Sequence, residues 1–341
     1  MPGWFLRDAR RTCPRKLPEL FLSARTLAVF RHSTGTRLTR ADSMSNESTP
    51  ATGAHPDDDE TQALVAGLQA RPRQVSAKYF YDERGSKLFD QICELPEYYL
   101  TRTEMDIMRR HIDEMAQLIG PDAVLVEYGS GSSTKTRLLL EHLSRPVAYV
   151  PVDISREHLS NAAAQLAVDF PDLEILPVCA DFTQPLTLPT PHRTPDRNIV
   201  FFPGSTIGNF ASDDALELLR GMRRIAGDDG GLLIGVDLIK PRQVLESAYN
   251  DNAGITAAFN LNLLNHLNRQ FDANFDTSAF RHQAVYDEDH QRIEMRLISL
   301  KRQTPHINGT TIELNPNEFI VTEHSHKYSP EGFGKLAEQA G

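Results

Sequence analysis

Between residues 123 and 240 the apolar positions fall into short, nearly unbroken runs separated by stretches of helical spacing. Residues 124–128, 147–153, 173–182, 198–203 and 231–237 are rich in strand formers, and runs apolar at consecutive positions predict strands buried on both faces. Between them, Leu138, Leu139, Leu140 and Leu143, and then Leu216, Leu219, Met222 and Ile225, recur with the period of an amphipathic helix. This βαβ rhythm predicts an α/β fold around a Rossmann-like parallel sheet. Beyond residue 237 the rhythm changes. Residues 244–249 and 255–269 read as helices, while 279–286, 292–300 and 318–327 read as antiparallel strands. In the second of these Ile293, Met295 and Leu297 alternate with Glu294 and Arg296. A second, smaller α+β lobe is expected there, joined by residues 78–104.

The strand ends carry the candidate chemistry. The first strand runs into Glu127-Tyr128-Gly129-Ser130-Gly131, a turn whose glycines allow positive φ and close approach of a ligand to the main chain. Thr134 stands where a third glycine would complete a dinucleotide fingerprint, and no Gly-Lys-Ser/Thr ending follows, so a pyrophosphate seat is disfavoured. Taken alone, the turn reads equally as a tight connection. Asp153 ends the second strand about twenty residues later, where such sheets place the carboxylate for ribose hydroxyls. Asp181 and Phe182 end the third, a pair able to hydrogen-bond an adenine amine and cover its face. The fourth ends in Gly204-Ser205-Thr206-Ile207-Gly208-Asn209. Asn209 is a catalytic candidate with donors and an acceptor, or a turn-closing residue ahead of a helix capped by Ser212.

Residues 1–59 differ from the rest. Arg7, Arg10, Arg11, Arg15, Arg25, Arg31, Arg37 and Arg40 crowd the start with few acids. That suits a transit peptide, and also an upstream start codon with Met44 as the first residue. Under either reading the segment is expected to be disordered and outside the core. By contrast, 78–104 packs the aromatics Tyr79, Phe80, Tyr81, Phe89, Tyr98 and Tyr99 and many polar groups into a short stretch punctuated by Gly85 and Pro96, more than a connector needs.

Composition narrows the partners. The chain has 341 residues, 40% of them hydrophobic and 24% charged, with a formal net charge of −10. An acidic balance argues against a nucleic-acid track and favours a small-molecule substrate. Cys13, Cys93 and Cys179 form neither a disulfide framework nor a zinc knuckle, which suits the cytoplasm. His324 and His326 sit two apart, but no third ligand of recognisable spacing accompanies them, so no metal is expected. No apolar run reaches the ~18 residues of a membrane span.

With these residues in view, the chain from Gln74 onward resembles the S-adenosylmethionine-dependent histidine Nα-methyltransferases of ergothioneine biosynthesis. The segments that carry the likeness are Phe-Tyr-Asp-x-x-Gly-Ser-x-Leu-Phe at 80–89, Leu-Pro-Glu-Tyr-Tyr at 95–99, Gly-Ser-Gly at 129–131, Gly-Ser-Thr-Ile-Gly-Asn at 204–209 and Thr-Glu-x-Ser at 322–325. The resemblance implies a class I methyltransferase sheet at 106–244 and 329–341 with a substrate lobe from 60–105 and 245–328. It implies that Gly129, Lys135, Asp153, Asp181 and Phe182 hold S-adenosylmethionine. Asn209 and Tyr249 would take the substrate carboxylate, Tyr98, Glu323 and Ser325 the imidazole, and Tyr81 would lie by the amine, with Met295 lining the pocket. The expected product is hercynine after three methylations; the alternative is the same reaction on tryptophan or a related amino acid. The expected form is a monomer without metal, membrane or nucleic-acid partner. Two features depart from the family: the basic extension, and the lack of closing sheet strands after Gly341.

Overall fold

The computed structural model describes residues 58–131 and 133–341, with short strands at 2–7, 21–22 and 25–26. In chain order the first part supplies β1 (Pro2–Arg7), α1 (Asp58–Gln69), β2 (Arg73–Gln74), α2 (Glu83–Glu94) and α3 (Tyr99–Ile119). Then come β3 (Ala123–Tyr128), α4 (Thr134–Leu140), β4 (Ala148–Asp153), α5 (Arg156–Asp169), β5 (Glu174–Ile175), β6 (Val178–Cys179), β7 (Arg197–Phe202), α6 (Ser212–Ala226) and β8 (Gly231–Asp237). The remainder supplies α7 (Arg242–Tyr249), α8 (Ile255–Gln270), β9 (Phe280–Asp287), β10 (Arg292–Ser299), β11 (Phe319–His326) and α9 (Pro330–Ala340).

The large sheet has the order β1-β8-β7-β3-β4-β5, with β6 also on β4. Strands β8, β7, β3 and β4 are parallel neighbours, as the unbroken apolar runs predict. Val124, Leu125 and Val126 are all buried, because α6 and α9 cover one face while α3, α4 and α5 cover the other. The chain leaves β3 to form β4 on one side and later returns to form β7 on the other. That reversal opens a crevice at the carboxyl end of β3, where open α/β sheets bind ligands.

Above the crevice stands a second sheet of order β9-β10-β11-β2. Alternation places Ile293, Met295 and Leu297 on its apolar face, packed with α7, α8 and the aromatic region; Phe80 stacks on Phe259 with ring centroids 4.4 Å apart.

The structure departs from the sequence reading in five places. The predicted strand 173–182 is two two-residue strands, because Pro177 has no N–H to give to a ladder. The region 78–104, read as a Gly- and Pro-punctuated stretch with no helix of its own, contains α2. Gly85 belongs to that helix, since a Cβ there would lie 1.7 Å from Phe80 O. The lobe boundary placed at 105 falls inside the continuous helix α3. Within 1–59, expected to be disordered, Pro2–Arg7 pairs antiparallel with β8, whose edge would otherwise be left open; residues 8–20 and 27–57, with the alternative start Met44 among them, lie outside the described residues. The cap of α6 is Ala211, with Ser212 already helical.

Candidate active site

One cavity of about 1780 Å³ runs along the carboxyl rim of the large sheet and under the second lobe. Its size exceeds the ~300–1,000 Å³ of a site for one small ligand and leaves room for two reactants side by side.

On the sheet side, the turn after β3 takes φ 73° at Gly129 and φ 40° at Gly131. A Cβ on Gly129 would point at the Phe182 ring, 3.8 Å from its nearest atom, so the bare main chain leaves a slot against an aromatic wall. Phe182 is held there by stacking on Tyr128, centroids 5.3 Å apart and planes at 23°. Asp153 ends β4 with Oδ1 accepting the Ser155 N–H at 2.8 Å, and burial raises its pKa. Asp181 accepts from the Thr183 N–H at 2.9 Å and hydroxyl at 2.6 Å, which fixes the strand-end bend. Beneath the turn Glu127 is fully enclosed. Its Oε2 accepts from Thr136 Oγ1 at 2.5 Å and from the Tyr149 hydroxyl, and burial pushes its carboxyl up to about 7.

At the end of β7 the chain takes φ 81° at Gly204 and φ 58° at Ser205, then a single 3₁₀ turn, Thr206–Asn209. Glu104 of α3 sets this turn: its Oε1 accepts the Gly204 N–H at 2.7 Å, and its Oε2 pairs with Lys135 Nζ at 2.5 Å. Burial works to lower the Lys135 pKa, but the Glu104 carboxylate holds it above its ordinary value. Lys135 is therefore fixed beside the strand end as a permanent cation.

The second lobe closes the cavity with Tyr81, Tyr98 and Glu323. Burial raises both tyrosine pKa values strongly, so both are neutral hydroxyls at physiological pH. Burial also pushes the Glu323 carboxyl up to about 7, against the pull of Lys327. Tyr249 and Ser325 form the layer behind. Their hydroxyl oxygens are 2.8 Å apart, and the Tyr249 ring meets Tyr98 in a T-shaped contact at 6.0 Å.

Thus Tyr81, Tyr98, Gly129, Lys135, Asp153, Asp181, Phe182, Asn209 and Glu323 all line one cavity. Tyr249, Met295 and Ser325 are buried behind its wall, Met295 directly opposite Glu323 across the β10–β11 ladder. Among the described residues, the Tyr81 hydroxyl, the Asn209 amide and the Glu323 carboxylate have no protein hydrogen-bond partner. His324 and His326 point to the other face of β11, where His326 Nδ1 lies 2.8 Å from Gly208 O and His324 Nε2 lies 3.5 Å from Glu294 Oε1. Sequence reading gave no role to Glu104. The available signal was a carboxylate within the apolar stripe Leu100, Met108, Ile112 of a helix, where an unpaired charge is costly.

Residues 60–341 match the family described as histidine-specific methyltransferase, S-adenosylmethionine-dependent. The chain is 40% identical to the histidine N-alpha-methyltransferase of Mycolicibacterium smegmatis, over 81% of this chain and 86% of that one. It is 34% identical to ergothioneine biosynthesis protein 1 of Neurospora crassa, over 79% of this chain and 31% of that one. Similarity to the 4-dimethylallyltryptophan N-methyltransferase of Claviceps fusiformis is lower, 28% over 55% of this chain and 56% of the other.

Proposed function

Because the chain belongs to the S-adenosylmethionine-dependent histidine-specific methyltransferases, we propose that it methylates the α-amino nitrogen of L-histidine three times, giving hercynine and opening ergothioneine biosynthesis. One observation carries the substrate assignment. Three polar groups without protein partners, on Tyr81, Asn209 and Glu323, face the cavity that also holds the glycine turn and the strand-end acids.

S-Adenosylmethionine supplies an electrophilic methyl group on a sulfonium. The residues fit it: the slot between Gly129 and Phe182 would take the adenosine, Asp153 the ribose hydroxyls and Asp181 the adenine amine, with Lys135 nearby. The remaining work belongs to the second lobe and the turn after β7. Asn209 donates to the substrate carboxylate. Glu323, as a carboxylate, accepts an imidazole N–H, a bond strengthened by its burial. Fixing the guest at both ends leaves the α-nitrogen beside Tyr81, whose neutral hydroxyl can accept from the amine and orient its lone pair. Withdrawal from bulk water under the second lobe favours the uncharged amine that must attack. Orientation of this kind is worth up to ~7–11 kcal/mol.

Incubation with histidine and labelled S-adenosylmethionine, followed by product mass, tests the reading. The expected product carries three added methyl groups; arrest at one methyl overturns the trimethylation, and preferential labelling of tryptophan in a competition overturns the substrate. Glu323→Ala is expected to lower kcat/KM for histidine by about 10- to 100-fold, the loss of a hydrogen bond to a charged group, and to narrow the preference over tryptophan.

A further inference from the structure

Directly behind the amino-acid wall lies a charge that the reaction as derived does not use. Lys327 follows β11, and its side chain has no exposed surface. Its Nζ lies 3.1 Å from Asp237 Oδ2, 2.8 Å from Ser325 Oγ and 3.1 Å from the Tyr249 hydroxyl oxygen. All three ammonium protons are therefore committed. Asp237 is equally buried and also receives Lys240 and, at 2.6 Å, the Tyr99 hydroxyl. A buried ion pair is costly to desolvate and is a poor device for stability alone, so its position against the two hydroxyls behind the substrate wall asks for another role.

A proton count supplies one. Each hydroxyl has one proton and two lone pairs. Lys327 fills one lone pair on Tyr249 and one on Ser325, and the bond between the two hydroxyls uses one of their two protons. Whichever oxygen accepts that mutual bond has both lone pairs filled and keeps its own proton, so it can only donate. One O–H therefore remains for a guest, together with one lone pair on the other oxygen.

We propose that Lys327 is a positioning residue for the amino-acid substrate: it fixes the Tyr249–Ser325 pair so that one oxygen can only donate, and it holds a positive charge four residues along the chain from Glu323. This rests on the reading of Tyr249, Ser325 and Glu323 as substrate contacts. The wall then offers an acceptor on Glu323 and one O–H of the neighbouring Tyr249–Ser325 pair, a complement to an imidazole that presents one N–H and one bare nitrogen. Around Glu323 the titratable groups are Tyr81, Tyr98, Tyr249 and Lys327. Burial raises the pKa of each tyrosine, which leaves Lys327 as the charged neighbour.

The test uses the full chain with Lys327→Met, Ser325→Ala and the pair combined. Lys327→Met is expected to raise the histidine KM by about ten-fold or more, with kcat changed far less and the affinity for S-adenosylhomocysteine unchanged. The acid limb of kcat/KM is expected to move to higher pH, since the charge favouring the Glu323 carboxylate is gone; histidine's own titration is common to both enzymes and cancels. Ser325→Ala is expected to cost several-fold alone and little more in the Lys327→Met background, because both act through one proton. An unchanged KM and acid limb, or multiplicative losses in the double variant, overturns the proposal. Should Lys327→Met fold poorly, Lys327→Met with Asp237→Asn removes both buried charges and is read by the same criteria. Failure of the unmodified enzyme to methylate histidine would instead strike the parent reading.

Discussion

Glu127 sits at the penultimate position of β3, buried, with the hydroxyls of Thr136 and Tyr149 as its side-chain partners among the described residues. Its pKa is pushed by burial from an ordinary 4.5 to about 7, so the folded protein holds this proton more tightly than the unfolded chain does. The resulting stability is fully present below about pH 4.5 and is lost as pH rises through about 7. At ~1.4 kcal/mol per unit, the effect amounts to a few kcal/mol. Glu127→Gln keeps an acceptor for both hydroxyls and removes the titration. In thermal melts at pH 5 and pH 8 the variant is expected to gain on the parent at the higher pH; an equal difference at both values would show that Glu127 does not carry this linkage. Such behaviour was only half readable from sequence. An acid at a strand end before a glycine turn marks the site, but its burial depends on Thr136 and Tyr149, which arrive from α4 and β4.

The same limit governs the helices and strands around the cavity. The parallel strands were readable because burial on both faces writes a continuous apolar run, and the antiparallel β10 because one face alternates. Helix α2 was missed because its signals, Asp82, Gly85 and the aromatics around them, look like turn chemistry when read along the chain alone. In space Asp82 is the cap: its Oδ1 accepts the Gly85 N–H at 2.6 Å and the Asn262 amide at 2.8 Å, while Oδ2 pairs with Arg269. One carboxylate therefore starts α2 and ties it to α8. Asp82→Ala is expected to cost about 1–2 kcal/mol of stability as a lost cap. Because α2 carries Phe89 and Cys93 into the cavity wall and follows Tyr81 directly, the histidine KM should rise as well. Melting temperature and steady-state kinetics measure the two effects; a loss of stability with an unmoved KM would separate the cap from the site.

The two lobes meet along the rim, and the turn after β7 is clamped between them. Glu104 holds Gly204 from α3, while β11 lies against the other side: His326 Nδ1 is 2.8 Å from Gly208 O, and a Cβ on Gly208 would fall 2.8 Å from His326 O and 3.1 Å from His326 N. Past the strand, Tyr328 N–H donates to Asp237 O at 2.9 Å and Ile239 N–H donates to Tyr328 O at 3.1 Å, which splices the second lobe onto the end of β8. Asn209 on the sheet side and Glu323 on β11 are thereby spaced by backbone groups held through the Glu104 and His326 side chains and by main-chain contacts, a geometry suited to gripping a guest at both ends. Gly208 has no positive φ, and its role is close approach, which sequence cannot distinguish from an ordinary turn glycine. Gly208→Ala must push β11 from the turn by tenths of an ångström or more, since both opposing atoms are backbone. Misplacement by ~1 Å can cost about 10²-fold in rate, so kcat for histidine methylation is expected to fall by one to two orders of magnitude. The slot beside Gly129 and Asp153 lies on the sheet lobe alone, so calorimetric affinity for S-adenosylhomocysteine should stay within about two-fold of the parent. A matching loss of that affinity would mean that the clamp shapes the whole rim, and an undiminished kcat would mean that the lobe spacing is not what positions the reactants.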